Sequence, residues 1–463
     1  MEPPRRNDQL AGLMAEANMS NKALARAVRD WSTRDRHPVR CDHTSVNRWL
    51  AGMRPRGRTG QYIADAIGER LGRTVTLADV GMSATEALDP ELGMTYGTEP
   101  EDVGAVLSRL WRADLDDMRP ILDAPPKASA WAEASLAWLV RPGRDDLVER
   151  AAGVRVGQSD VDAVRATTAA LDRLDNDYGG ERPRRALIQF LHSDVAGLLA
   201  GRYGEQAGRQ LHAAAAEATL LAAWATYDAG VHGMAQRYFI QSLRLAQAAD
   251  DVLLASSALD AMSHQATFLG RSREAANLAR AARTGSQRYA TPTLTAHFYA
   301  MEARALAVGG DVVGTQKALG EAVNVFERRQ PGNDPDWISY VDDAELAAEL
   351  AHSFRDIGRS ADAVTYAVSA LAGSGGASAR SDFFVTMVQA AGHLGQGDVE
   401  QACVTARAAL DLGEQVRSAR CVEYLRQFRK QLAPHAASAH VRELVGAAGE
   451  HHLWVASRTA RGS

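Results

Sequence analysis

A chain of 463 residues exceeds one small domain and implies two to four units, and its 46% hydrophobic fraction can fill a large core. Alanine dominates while aromatics make up only 6%, which suits closely packed helices. The net charge of −5 divides unevenly: residues 1–75 hold 14 Arg/Lys against 8 Asp/Glu, an excess of +6 that leaves −11 for the rest. This excludes general polyanion stickiness and points to local polyanion contact at the basic end, against the plainer reading of a solvated arginine-rich surface.

In chain order, Met1 to Arg6 leads into polar sequence without an apolar signal core. No apolar run reaches the length of about 18 residues that a membrane helix needs, so no transmembrane helix and no membrane partner are expected. Asn7 or Asp8 starts a first helix through Leu10, Leu13 and Met14. Ser20 caps a second, with Leu24, Ala25 and Val28 on its apolar face.

The third helix is the most informative. Asp42 can cap it, Val46, Trp49 and Leu50 form one buried stripe, and His43, Thr44, Asn47 and Arg48 face away from that stripe. Gly52 ends it, and a basic loop, Met53 to Arg58, follows. A short polar face, an apolar back and a basic exit are what a reader of the DNA major groove requires. A fourth helix is expected over Thr59 to Leu71, with Ile63, Ile67 and Leu71 at helical spacing. Residues 1–81 make one unit.

Residues 82–205 read as a helical linker and the start of a solenoid. Trp111, Trp131 and Trp138 are expected as core anchors. From residue 206 to 430 the chain repeats. Gly230, Gly270, Gly310, Gly358 and Gly397 are spaced by 40, 40, 48 and 39 residues. Five residues after each stand Ala235, Ala275, Thr315, Ala363 and Ala402, and twelve after each stand Ser242, Ala282, Ala322, Ala370 and Ala409. A turn glycine followed by small residues on one face of a second helix is the signature of stacked helical hairpins. First helices of these hairpins carry Trp224, Tyr227, His264, Gln265, His297, Tyr299 and Glu302; Trp224, Tyr227, His264 and Tyr299 are the candidates for a ligand groove. Residues 431–463 read as a C-terminal helix and flexible tail, with His451-His452 solvated rather than metal-binding. Cys41, Cys403 and Cys421 form no CxxC pair, which fits a reducing compartment.

The segments Ser20 to Ala25, Asp42 to Gly52 and Arg54-x-Arg56 resemble the helix-turn-helix of the phage-repressor (Xre-like) family. By position, that resemblance implies base reading by His43, Thr44, Ser45, Asn47 and Arg48, and phosphate contacts from Asn21, Lys22, Arg54, Arg56 and Arg58. One departure stands out. Leu24 and Val46 are 22 residues apart, where the family places the corresponding pair about half as far, so Arg29 to Arg40 is an insert expected to lengthen the second helix and add a basic loop.

The glycine spacing, with Ala235, Phe239 and Ser242 or Thr315, Leu319 and Ala322, resembles the tetratricopeptide repeat. Together the two resemblances imply an actinobacterial Xre-type transcription regulator, related more widely to quorum-sensing regulators of Gram-positive bacteria whose repeats bind short peptides. The expectation is an all-α protein: a helix-turn-helix domain followed by an α-solenoid of tetratricopeptide-like hairpins. It is expected to be cytoplasmic and nucleoid-associated, to read a double-stranded DNA operator as a homodimer and to sense a peptide, small molecule or protein. The competing expectation is a repeat scaffold that binds proteins and does not read DNA. No phosphate-binding loop, HExxH or GxSxG motif occurs, so neither an enzyme nor a cofactor is expected.

Overall fold

The structure, a computed structural model, describes residues 6–35, 37–53, 55, 58–73, 75–77, 79–82, 89–96, 103–140, 153–330, 332–376 and 378–459. Among these the fold is all-helical, with no strand beyond an isolated bridge between Arg155 and Arg202. The chain divides into two compact units, Met1–Asp89 and Pro90–Ser463.

Unit 1 contains α1 (Asp8–Glu16), α2 (Asn21–Arg34), α3 (His43–Leu50) and α4 (Thr59–Leu71). Each early cap comes from a side chain. Asn7 Oδ1 accepts from Leu10 N, Ser20 Oγ from Ala23 N and Asp42 Oδ1 from Ser45 N. Leu10, Leu24, Val28, Val46, Ile63 and Ile67, all buried, form the centre of its core, and Trp49 closes the α3 side. Burying a side chain of this kind contributes roughly 1.5–3 kcal/mol, so the core holds the four short helices that could not stand alone.

Unit 2 begins with α5 (Val103–Leu115), α6 (Arg119–Leu122), α7 (Ala128–Val140), α8 (Gln158–Tyr178) and α9 (Glu181–Phe190); α9 runs through one π-helical turn into α10 (Ala196–Leu199). Trp111, Trp131 and Trp138 are buried. Five helical hairpins follow: α11 (Glu205–Asp228) with α12 (His232–Ala248), α13 (Val252–Phe268) with α14 (Ser272–Ser286), α15 (Pro292–Val308) with α16 (Val312–Phe326), α17 (Asp343–Asp356) with α18 (Ser360–Gly373), and α19 (Ala379–Gly395) with α20 (Val399–Leu412). Each hairpin packs on the next, and successive first helices also touch, which is a solenoid-like arrangement.

The five repeat glycines sit in the hairpin turns with φ between 70° and 83°. A side chain is strained in that left-handed region, so glycine is the residue that lets the first helix turn into the second. The small residues five and twelve positions on are all buried, none more than 3% exposed. They permit the close approach of α11 to α12, and of the corresponding pairs further along.

The longer 48-residue step between Gly310 and Gly358 arises in the segment between α16 and α17, which includes a 3-10 turn at Asp336–Ile338. A strap formed by residues 90–96 and the segment around Lys127 lies along α12. Arg237 donates to Leu92 O and Pro90 O at 3.1 and 2.8 Å, and Gln241 donates to Gly93 O at 2.9 Å. These bonds satisfy polar side chains that are fully buried in α12. A Cβ on Gly233 would lie 1.8 Å from Ala124 O, so only glycine admits the strap there.

After α20, α21 (Ala419–Leu432), α22 (Ala439–Ala447) and α23 (His452–Thr459) continue the packing. Leu453 and Trp454 join the core that holds Phe428, Leu432 and Leu444. Of the C-terminal helix and flexible tail expected over 431–463, the described part holds two helices, α22 and α23, the second anchored by Trp454; residues 460–463 lie outside the described residues. His451 and His452 stack at 4.7 Å, and both are half-buried rather than solvated. No helix among the described residues is long and apolar enough to cross a membrane.

Candidate nucleic-acid interface and the polar network of the repeats

Helix α3 presents the face expected from its pattern. Val46 and Trp49 are buried, while His43, Thr44, Asn47 and Arg48 are exposed. Asp42 and Ser45 form a reciprocal capping box: Asp42 Oδ1 accepts from Ser45 N at 2.9 Å, and Ser45 Oγ accepts from Asp42 N at 3.4 Å. The bond from Ser45 N, with one from its hydroxyl, holds the Asp42 carboxyl below its ordinary pKa, so it stays ionised at the positive end of the helix. Ser45 is thus engaged in the cap, half-buried, and less available to a base than its neighbours.

Asn21 opens α2 and donates through Nδ2 to Asn47 Oδ1 at 2.6 Å. This bond ties the first turn of α2 to the exposed face of α3. Lys22, next to Asn21, is exposed, as are Arg26, Arg40 and Arg48; none of the four has an acidic partner among the described residues. Arg58 differs. Its Nη1 lies 3.2 Å from Asp35 Oδ2, and Tyr62 donates to the same oxygen at 2.6 Å. The Tyr62 hydroxyl, opposed by slight burial and aided by Arg58, keeps the Asp35 carboxyl below its usual range. Arg54 and Arg56 lie outside the described residues.

The insert folds back on its own helix. Helix α2 extends to Arg34, and Arg29 Nη1 then donates to Cys41 O at 2.6 Å. Val39 N donates to the buried Ser32 Oγ, and Cys41 Sγ lies 3.3 Å from Ala25 O. Burial raises the Cys41 thiol pKa, so it serves as a small packed side chain rather than a nucleophile. Trp31 and Arg34 both reach Glu69 on α4, at 2.9 and 3.2 Å. The insert therefore braces α2 against α3 and α4.

In the repeats, Trp224, Tyr227 and His264 come together. Trp224 packs edge-on to His264 at 5.2 Å, and the Tyr227 oxygen lies 3.2 Å from His264 Nδ1. Arg304 Nη1 lies 3.3 Å from His264 Nε2. Arginine can only donate, so Nε2 accepts and Nδ1–H donates to the Tyr227 oxygen. Burial, reinforced by Arg420 and Arg304, pushes the His264 pKa well down, which agrees with a neutral ring.

The chain of contacts continues from Arg304 to Glu349 at 3.1 Å. Tyr227 is fully buried and lines no open groove. Tyr299 is not part of this group: the Arg283 guanidinium lies 4.0 Å from its ring centre and donates to its hydroxyl at 2.8 Å. Gln265 donates to His232 O, and Glu302 clamps Arg280 and Arg283.

A second buried ionic group joins α8, α11 and α19 to the N-caps of α9 and α21. Asp228 accepts from Gly180 N and Ser418 Oγ at 2.9 and 2.8 Å, and Arg380 bridges Asp228 and Asp175 at 3.4 and 2.7 Å. A cavity of about 190 Å³ opens beside Arg355, Tyr424 and Phe428, and another of about 270 Å³ beside Asp114, Arg119 and Arg184. Both fall below the roughly 300–1,000 Å³ usual for small-molecule sites. Neither is lined by Trp224, Tyr227, His264 or Tyr299.

The sequence pattern did not single out Arg304, Glu349, Asp228, Arg380 or Asp260. Their signal was placement: Glu345 and Glu349 stand four apart inside the apolar run of α17, and Asp260 interrupts the apolar face of α13.

Residues 10–83 match a family described as the SP15 N-terminal domain. The match spans most of α1 and all of α2 to α4, and covers none of the repeats. No curated protein and no solved structure matches the chain.

Proposed function

We propose that the chain is a sequence-specific DNA-binding transcription regulator of the Xre type, acting in the cytoplasm at the nucleoid. Unit 1 lays α3 in the major groove. Thr44, Asn47 and Arg48, with His43, contact base edges; Lys22 and Arg26 on α2, and Arg40 before α3, contact phosphates. The observation that carries this reading is the Asn21–Asn47 hydrogen bond, which fixes the polar faces of α2 and α3 side by side beside cations free of acidic partners. An asparagine pair of this kind sets the register of a reading helix without spending Thr44 or Arg48.

The repeats, of tetratricopeptide type in this reading, dimerise the chain and sense a peptide, small molecule or protein. One helix-turn-helix makes few base contacts, and pairing two half-sites about one DNA turn apart doubles them. The test is a competition binding assay with the full chain on fragments of its own genome. Preferred fragments that share a two-fold symmetric site support the reading. Uniform affinity for every fragment favours the alternative of a protein-binding scaffold.

A further inference from the structure

One group in unit 2 is left without a role by DNA reading. His297 on α15 and Glu345 and Glu349 on α17 each offer a ligand atom, and these atoms all lie within 4.8 Å of one another. Asp260 on α13 stands behind them, with Oδ2 at 2.9 Å from His297 Nδ1. Its other oxygen, Oδ1, is buried and has no hydrogen-bond donor. We propose that this group is a divalent transition-metal site, a conclusion that does not depend on the reading of DNA.

Three observations bear on it. The first is geometry. In a tetrahedral site with bonds of about 2.0–2.2 Å the donors stand roughly 3.4 Å apart, so side-chain rotations that move the donor atoms by about 1 Å bring the three into range. Glu345 and Glu349 are one helical turn apart and project from the same face of α17.

The second is donor type and support. One imidazole with carboxylates suits Mn²⁺, Fe²⁺, Co²⁺ or Zn²⁺. A carboxylate on the second ring nitrogen of a metal-bound histidine is the usual way its orientation and basicity are set; with Nε2 as the ligand atom, Asp260 Oδ2, 2.9 Å from Nδ1, would take that place.

The third is charge. Asp260, Glu345 and Glu349 bring three negative charges and Arg304, 3.1 Å from Glu349, one positive. A divalent cation with a neutral imidazole brings the group to formal neutrality, as a protonated imidazole with one protonated carboxyl does without it, so charge permits the metal.

The site also sits where the repeat pattern is broken. The additional residues between α16 and α17 bring the Tyr340 ring edge-on to His297 at 6.0 Å, and Asp334 accepts from Thr293 at 2.7 Å at the start of α15. Insertions in a repeat array commonly fall on its binding face. Glu345 is half-buried, the others buried, so entry is from the Glu345 side.

The test is a titration of the full chain with Co²⁺ alone, followed by visible absorption and by calorimetry. Expected are saturation at one equivalent in the wild type and in a His451→Gln control. Glu345→Gln should weaken binding by about tenfold or more, and Asp260→Asn by about 10–100-fold. Circular dichroism should show both variants folded; Glu345→Gln, at the half-buried position, keeps the test valid if Asp260→Asn unfolds. Absence of saturable binding in the wild type, or a loss of less than about tenfold in Glu345→Gln, overturns the proposal. Binding that disappears in His451→Gln would place the metal at the His451–His452 pair and overturn it as well.

Discussion

Asn21 Nδ2 and Asn47 Oδ1 lie 2.6 Å apart, joining the first residue of α2 to the exposed face of α3. Because the bond lies at the surface, its value is orientation more than stability, about 0.5–1.5 kcal/mol. It engages Asn47 Oδ1 and leaves Asn47 Nδ2, with His43, Thr44 and Arg48, free to read bases. Arg48→Ala and Thr44→Ala should each reduce discrimination between preferred and random DNA by about 1–3 kcal/mol while keeping weak general binding. A competition shift assay checks this, and full preference in both variants would show that the register assigned to α3 is wrong.

Cations that stand alone and cations already paired should differ in salt dependence. Lys22 has no acidic partner among the described residues, whereas Arg58 pairs with Asp35 at 3.2 Å. Lys22→Ala should reduce the slope of log affinity against log salt by about 0.9. Arg58→Ala should change it less, since Asp35 already offsets that charge. Equal slopes in the two variants would show that Arg58 exchanges Asp35 for phosphate on binding.

The Asp228 group should dominate the stability of unit 2. Asp228 is 1% exposed and holds Gly180, Ser418 and Arg380. Asp228→Ala leaves buried donors and a buried guanidinium short of a partner, a loss expected at about 3–5 kcal/mol. The measurement is the urea midpoint of the full chain. A loss under about 1 kcal/mol would mean that water replaces the carboxylate.

Acid should weaken the repeats through those histidines whose pKa burial lowers, His232 first among them. Burial, with help from Arg420, lowers the His232 pKa from 6.5 to about 4. The folded chain therefore binds its proton later than the unfolded chain. Stability is complete above about pH 6.5 and falls as the pH drops from there towards 4, by at most about 3 kcal/mol for this residue. His232→Gln should flatten that part of the profile, which urea unfolding at a series of pH values would reveal. An unchanged slope would move the acid response to His264 and His352, whose pKa values burial also depresses.

Much of the fold was legible because glycine and caps act locally. The five repeat glycines all adopt positive φ, and Asp42, Val46 and Trp49 define α3 within eight residues. The polar network was harder to see, since its links join residues 37, 40 and 45 positions apart: Tyr227 to His264, His264 to Arg304, and Arg304 to Glu349. These separations are close to one repeat each. Aligning the hairpins and asking which polar positions recur would have found the chain of contacts, whereas choosing aromatics singly included Tyr299, which belongs to Arg283. The insert was legible only in part, for a similar reason. The expected lengthening of α2 is present, to Arg34, but the bracing by Arg29 and Arg34, which reach Cys41 O and Glu69, depends on contacts 12 and 35 residues away.

Selection from a pool of randomised duplexes, with the full chain as bait, tests the central claim most directly. The account predicts enrichment of one motif with two-fold symmetric half-sites about one DNA turn apart, and its loss when Arg48→Ala is the bait. Enrichment of no motif by the wild type, or of the same motif by Arg48→Ala, would contradict DNA reading through α3.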